Sequence, residues 1–92
     1  MDQALKEGIQ RAAAREPFAR ELGIILEHLD LGHSIVKMKY TPETMDNIYS
    51  KAHGGALFAL IDEAFETAAQ THGTIAVALN VNVTYVSTAR AG

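Results

Sequence analysis

No cysteine occurs among the 92 residues, which excludes disulfides, thiolate metal sites and a cysteine nucleophile. That absence fits a cytoplasmic protein. No apolar run approaches the length that crosses a bilayer. The opening stretch Met1 to Glu7 holds two acids and lacks the hydrophobic core of a signal peptide. Basic residues are in the minority: 8 Lys and Arg stand against 11 Asp and Glu, a formal net charge of -3. A mildly acidic chain has no global field with which to hold nucleic acid. Internal repeats, low-complexity tracts and linkers are also missing. The expectation is a soluble, cytoplasmic protein with neither a nucleic-acid nor a membrane partner.

What is present reads as one globular domain over residues 1–92, with 48% hydrophobic and 21% charged residues. A chain this short builds a modest core, so oligomerisation would help it. Leu5, Ile9, Ala12 and Ala13 recur at helical spacing and predict an amphipathic helix over Gln3 to Arg15, capped by Asp2 and stopped by Pro17. Its apolar stripe is narrow and mostly alanine, which suits packing better than a membrane surface. Two β-rich runs follow, Leu22 to Asp30 and Ser34 to Tyr40, with Leu31-Gly32-His33 as a hairpin turn. Thr41-Pro42-Glu43 ends the second run, and a loop continues through Met45 to Lys51.

The longest predicted helix begins at Gly54 or Gly55 and runs to about His72, where Gly73 ends it. Leu57, Leu60, Ile61, Ala64, Phe65, Ala68 and Ala69 form its broad apolar face, and Glu63, Glu66, Thr67 and Gln70 a narrower polar stripe. Ile75, Val77, Leu79, Val81, Val83 and Tyr85 then alternate with Ala76, Ala78, Asn80, Asn82 and Thr84, the period of a strand. The order is helix, strand, strand, long helix, strand. An antiparallel α+β sheet curled around a central helix fits it.

Chemistry concentrates where the long helix begins. Gly54 and Gly55 put bare backbone at a helix N-terminus, whose N–H groups lack intrahelical partners and whose dipole is positive. Such a place suits an oxyanion, although a Gly-Gly pair also serves as a plain tight turn. His53 is open between a structural hydrogen bond and a role in chemistry. Asp62 falls at the edge of the polar stripe beside Glu66, where a solvated surface charge is the ordinary role. His28, His33, His53 and His72 form no metal-ligand motif, so neither a metal nor another cofactor is expected.

The run Asn47 to Asp62 (asparagine, then His53-Gly54-Gly55, then an acid in the helix) resembles the signature of hotdog-fold acyl-CoA thioesterases of the phenylacetic-acid-degradation type. Pro17 to Ile24 and Leu79 to Tyr85 resemble the same family in the same order. The resemblance implies a hotdog fold, an antiparallel sheet wrapped around a central helix, and subunits paired as a homodimer or dimer of dimers. It implies an acyl-CoA substrate hydrolysed to free acid and CoA at the subunit interface. By position, the Gly54 amide would donate to the thioester carbonyl and His53 would orient or polarise that group. Asn47 would touch the thioester or the water, and Asp62 of the neighbouring subunit would act as base or nucleophile. Gly55 and Phe58 are expected beside the substrate, Phe58 with Ala59 and Phe65 as acyl-pocket residues, although core packing is the more ordinary role for Phe65 on its apolar helix face. Lys51 and Arg90 are expected near the CoA phosphates, a role each shares with any solvated surface charge.

Two departures stand out. Ala78 occupies the place where some relatives carry a serine or threonine. The sequence reaches Gly92 where the family turns into a final pair of strands, so the fold is expected to lack its last strands and to leave a sheet edge open. These departures favour an alternative: a non-catalytic acyl-CoA-binding or oligomerisation module on a shortened hotdog core. A hotdog dehydratase or hydratase fits less well, because His53 lies more than two helical turns from Asp62.

Overall fold

The computed structural model describes all residues, Met1–Gly92. Helix α1 spans Gln3–Arg15, and the Asp2 side chain caps it by accepting the Ala4 N–H at 3.1 Å. Pro17 stops α1 and also opens a second helix, α2, Pro17–Leu22. Proline suits that first helical position because its missing N–H would have had no partner there. Gly23, at φ 73°, ends α2 and turns the chain into the sheet.

Strand β1, Ile25–Asp30, pairs antiparallel with β2, His33–Lys37, through a turn at Leu31-Gly32 in which Gly32 takes φ 66°. His33 thus belongs to the strand and not to the turn. The register shifts between Leu26 and His28, a bulge that lets both Leu26 and Leu29 turn toward the core. A short helix α3, Pro42–Met45, occupies part of the expected loop. Helix α4, Gly54–Ala69, continues as a 3-10 turn over Gln70–His72, and Gly73 at φ 84° closes it.

The core is small: 8 of 92 residues are buried, so the fold leans on few contacts. Ala19, Ile24 and Ala59 form its centre, with Leu22, Val36, Met38 and Leu60 packed around them. Small residues at 19 and 59 let α2 and α4 approach the hairpin closely. Leu29, 1% exposed, is the largest side chain fully inside.

Helix α4 meets the hairpin with an unexpected face. Its buried residues are Ala59, Glu63 and Thr67, with Thr71 one turn further on, so part of the predicted polar stripe faces the sheet. Ile61 and Phe65, expected on the packed face, are each 42% exposed. The reason is hydrogen bonding. Thr67 Oγ1 donates to Ser34 Oγ at 2.9 Å, and Ser34 Oγ donates to the Ala64 carbonyl at 2.7 Å. Thr71 Oγ1 accepts the Gly32 N–H at 2.7 Å and donates to the Ala68 carbonyl at the same distance. Satisfied hydroxyls cost little to bury, and these tie the helix to the hairpin turn.

The predicted strand Ile75 to Tyr85 is not part of the sheet, which is a correction to the sequence reading. The sheet has two strands, β1 and β2, and residues 74–92 make no ladder with them. Period-two alternation specifies which face each side chain takes; a partner edge must supply the ladder. This segment is fastened at three points instead. The Gln70 side chain donates to the Ala76 carbonyl at 2.8 Å and accepts its N–H at 3.2 Å. The Tyr85 hydroxyl donates to the Gly54 carbonyl at 3.0 Å. Tyr40 and Gly92 exchange backbone hydrogen bonds at 2.8 and 3.2 Å.

Candidate active site at the head of the long helix

The approach to α4 is a loop held by its own polar groups. Asn47 Oδ1 accepts the N–H groups of Tyr49 at 2.9 Å and Lys51 at 3.2 Å. Its backbone N–H donates to the Lys51 carbonyl at 2.7 Å. This closed turn lets Ser50 take φ 59°, rare for a residue with a side chain. The His53 N–H donates to the Met45 carbonyl at 2.7 Å, and the Tyr40 hydroxyl bonds Asp46, so both sides of the loop are anchored.

His53 then caps α4. Its Nδ1 accepts the Gly55 N–H at 2.8 Å, and its carbonyl accepts the N–H groups of Ala56 and Leu57. The first of these bonds leaves Nδ1 unprotonated, with any ring proton on Nε2. The Gly54 N–H is different: no group of the chain accepts it. Tyr85 lies over this glycine, with its ring 3.4 Å from where a Cβ would stand. A hollow of about 310 Å³ opens here, walled by Asn47, Lys51, Gly54, Leu57 and Tyr85. Asn47, Lys51 and Gly54 are therefore neighbours around one hollow. His53 and Gly55 open on a separate hollow of about 180 Å³ beside Phe18 and Met45.

Asp62 is exposed and borders a third hollow of about 240 Å³, with Phe65, Glu66, Ala76, Val77 and Ala78. It lies eight positions beyond Gly54, roughly 12 Å along the helix axis. Within one chain the two do not share a cavity. Phe58 is half-buried and Arg90 exposed, and neither lines the hollows that hold Gly54, His53 or Asp62.

The most perturbed acid is Glu63, which the sequence places on the polar stripe of the long helix. Glu63 is 5% exposed, and carboxyl oxygens of Glu16, Glu63 and Glu66 lie within 4.8 Å of one another. Burial, then the carboxyls of Glu66 and Glu16, push Glu63 up to about 8. Burial also raises Glu16, helped by Glu66. Spacing of this kind suits a cation or shared protons, and the raised proton affinity favours protons. The available signal was an acid whose neighbours one turn before and after, Ala59 and Thr67, are both small. Tyr85 was missed as a site residue, because alternation identified its strand face and not its reach to Gly54.

Residues 49–92 match the family model of the thioesterase superfamily. The acyl-coenzyme A thioesterase PaaI of Escherichia coli K12 is 35% identical over 74 residues, which cover 80% of this chain and 52% of PaaI. A protein of Archaeoglobus fulgidus is 38% identical over 61 residues, 66% of this chain and 39% of its own length. The chain thus spans about half, or less, of the curated relatives it matches. Among solved structures, the E. coli PaaI protein of the phenylacetic acid degradation operon superposes with a TM-score of 0.87 at 31% identity, covering 97% of this chain and 64% of that one. A protein of Thermus thermophilus superposes with a TM-score of 0.78 at 38% identity, covering 85% and 65%. The chain thus resembles the thioesterase superfamily in sequence over residues 49–92, and its hairpin laid on a long central helix is a hotdog-type fold.

Proposed function

We propose that the chain acts as an acyl-CoA thioesterase, cleaving a thioester to a free acid and CoA. The observation that carries this reading is the unclaimed Gly54 N–H at the positive end of α4, in a hollow bordered by Asn47 and Lys51. A backbone donor so placed stabilises the oxyanion that forms when a thioester carbonyl is attacked, an effect of about 3 kcal/mol. The likeness to PaaI, a protein named for this activity, supports the same chemistry here.

His53 contributes by holding the Gly55 N–H, which fixes the turn and leaves the Gly54 N–H for the substrate. Asn47 commits its carbonyl to the loop and keeps its amide NH₂ for the thioester or the water. Lys51 offers charge to the phosphates of CoA, and Arg90 is the second candidate for that role. Asp62 reaches the acyl carbon from a second copy of the chain. As a base it takes a proton from water while the water oxygen adds to the carbonyl carbon. The C–S bond then breaks, and the departing sulfur takes the proton. As a nucleophile the carboxylate adds first, and water opens the resulting anhydride.

Asp62→Asn tests both routes. Thiol release from acyl-CoA is expected to fall by about 100-fold or more, and the circular dichroism to stay unchanged because Asp62 is exposed. Undiminished release would remove Asp62 from the mechanism. One observation favours a second reading, acyl-CoA binding without turnover: Asp62 and Gly54 border separate hollows. Calorimetric binding of acyl-CoA with no thiol released would select it.

A further inference from the structure

Two hollows meet across the segment that follows α4. One is the hollow beside Asp62. The other, about 460 Å³, lies between α1 and the end of α4, with Ile9, Ala12 and Ala13 on one side and Ile75, Ala76 and Val77 on the other. Glu66, Ala76 and Val77 line both. The two hollows therefore adjoin at Ala76 and Val77, with Glu66 on the same border.

We propose that the hollow beneath α1 receives the aliphatic chain of the acyl group, and that Ile9, Ala12 and Val77 set the chain length accepted. This rests on the hydrolysis reading above and names its substrate class. The volume falls within the roughly 300–1,000 Å³ of small-molecule sites. Its α1 wall is alanine at 12 and 13, so the space exists because those side chains are short. None of the residues lining it is aromatic, which leaves an aryl group no stacking partner and suits a flexible alkyl chain. The opposite wall is fixed, since Gln70 both donates to and accepts from Ala76. Helix α1 has no buried residue, so apolar surface on Ile9 and Ala13 gains cover when an alkyl chain lies against it.

Decanoic acid, titrated calorimetrically into the full chain, tests the hollow apart from catalysis. The wild type is expected to bind it, and Ala12→Trp to weaken binding by about tenfold or more by filling the space. Ala12 is exposed on α1, so the larger ring displaces no core residue. Val77→Trp, which narrows the junction of the two hollows, is the second variant and is expected to weaken binding similarly. In turnover, the ratio of kcat/KM for decanoyl-CoA to that for acetyl-CoA is expected to fall by about tenfold in both variants. No binding by the wild type, or unchanged affinity in both variants, overturns the proposal. If the wild type released no thiol from any acyl-CoA, the hydrolysis reading would fall by itself and the titration would still decide the hollow.

Discussion

At the scale of single residues, Glu63 carries the clearest prediction. It is covered by its neighbours yet borders a hollow with Arg20 and Leu26, so its carboxyl is only partly screened from solvent. Its folded-state pKa, about 8, lies above the ordinary value of 4.5, and Glu16 is displaced in the same direction. Between those values the unfolded chain has released the proton while the folded chain still holds it. Stability is therefore full below about pH 4.5 and declines as pH rises through about 8. Glu63→Gln mimics the protonated form permanently. Urea denaturation at pH 9 should find that variant more stable than the wild type by on the order of 1 kcal/mol, and at pH 4.5 nearly equal to it. Thr71→Val makes a contrasting case, because it removes the 2.7 Å acceptor of the Gly32 N–H. Denaturation should show a loss of about 0.5–1.5 kcal/mol at every pH.

At the scale of elements, the head of α4 separates a backbone donor from the fold that presents it. Gly54 is the first helical residue, and His53 before it sits at φ -67° and ψ 131°, a conformation that tolerates a following proline. Proline is also favoured at the first helical position. Gly54→Pro should thus keep the helix while deleting the N–H assigned to the oxyanion. Turnover should fall by about 10²–10³-fold with far-ultraviolet circular dichroism unchanged; retained turnover would remove Gly54 from its role. The ends of α4 were legible in the sequence because glycines mark them. Its orientation was not. Apolar periodicity assumes that the largest hydrophobic stripe faces the sheet, whereas Thr67 and Thr71 found hydroxyl and amide partners on the hairpin and rotated the helix so that Ile61 and Phe65 of that stripe are exposed. The hairpin was readable within a few residues, since Gly32 and alternation are local signals. The pairing of Ile75 to Tyr85 was not, because a ladder depends on a partner that alternation does not name. In the site, Asn47, Lys51 and Gly54 came together because they share one loop and the helix it enters, and Asp62 stood apart because a helix separates positions in proportion to their spacing.

For the molecule as a whole, the uncovered surface decides whether a working site can exist. Ile75, Val77, Leu79 and Val86 are between 84% and 100% exposed, next to the outward face of α4 that carries Ile61 and Phe65. Covering one such side chain is worth roughly 1.5–3 kcal/mol, so several together favour association of copies. Association bears on the proposed chemistry because Asp62 and Gly54 of one chain face different hollows, and the proposed mechanism takes its carboxylate from a second copy. Sedimentation equilibrium is expected to show species heavier than the 9.9 kDa monomer. Activity per chain should fall on dilution through the same concentration range. Leu79→Asp places charge on the side chain that is 100% exposed, so it disturbs no packing within the chain. It should raise the dissociation constant by about tenfold or more and lower activity in step, although Leu79 borders none of the hollows holding Gly54, His53 or Asp62. Turnover that is independent of dilution and unchanged in this variant would place the whole reaction within one chain, and would require an acid other than Asp62 to serve Gly54.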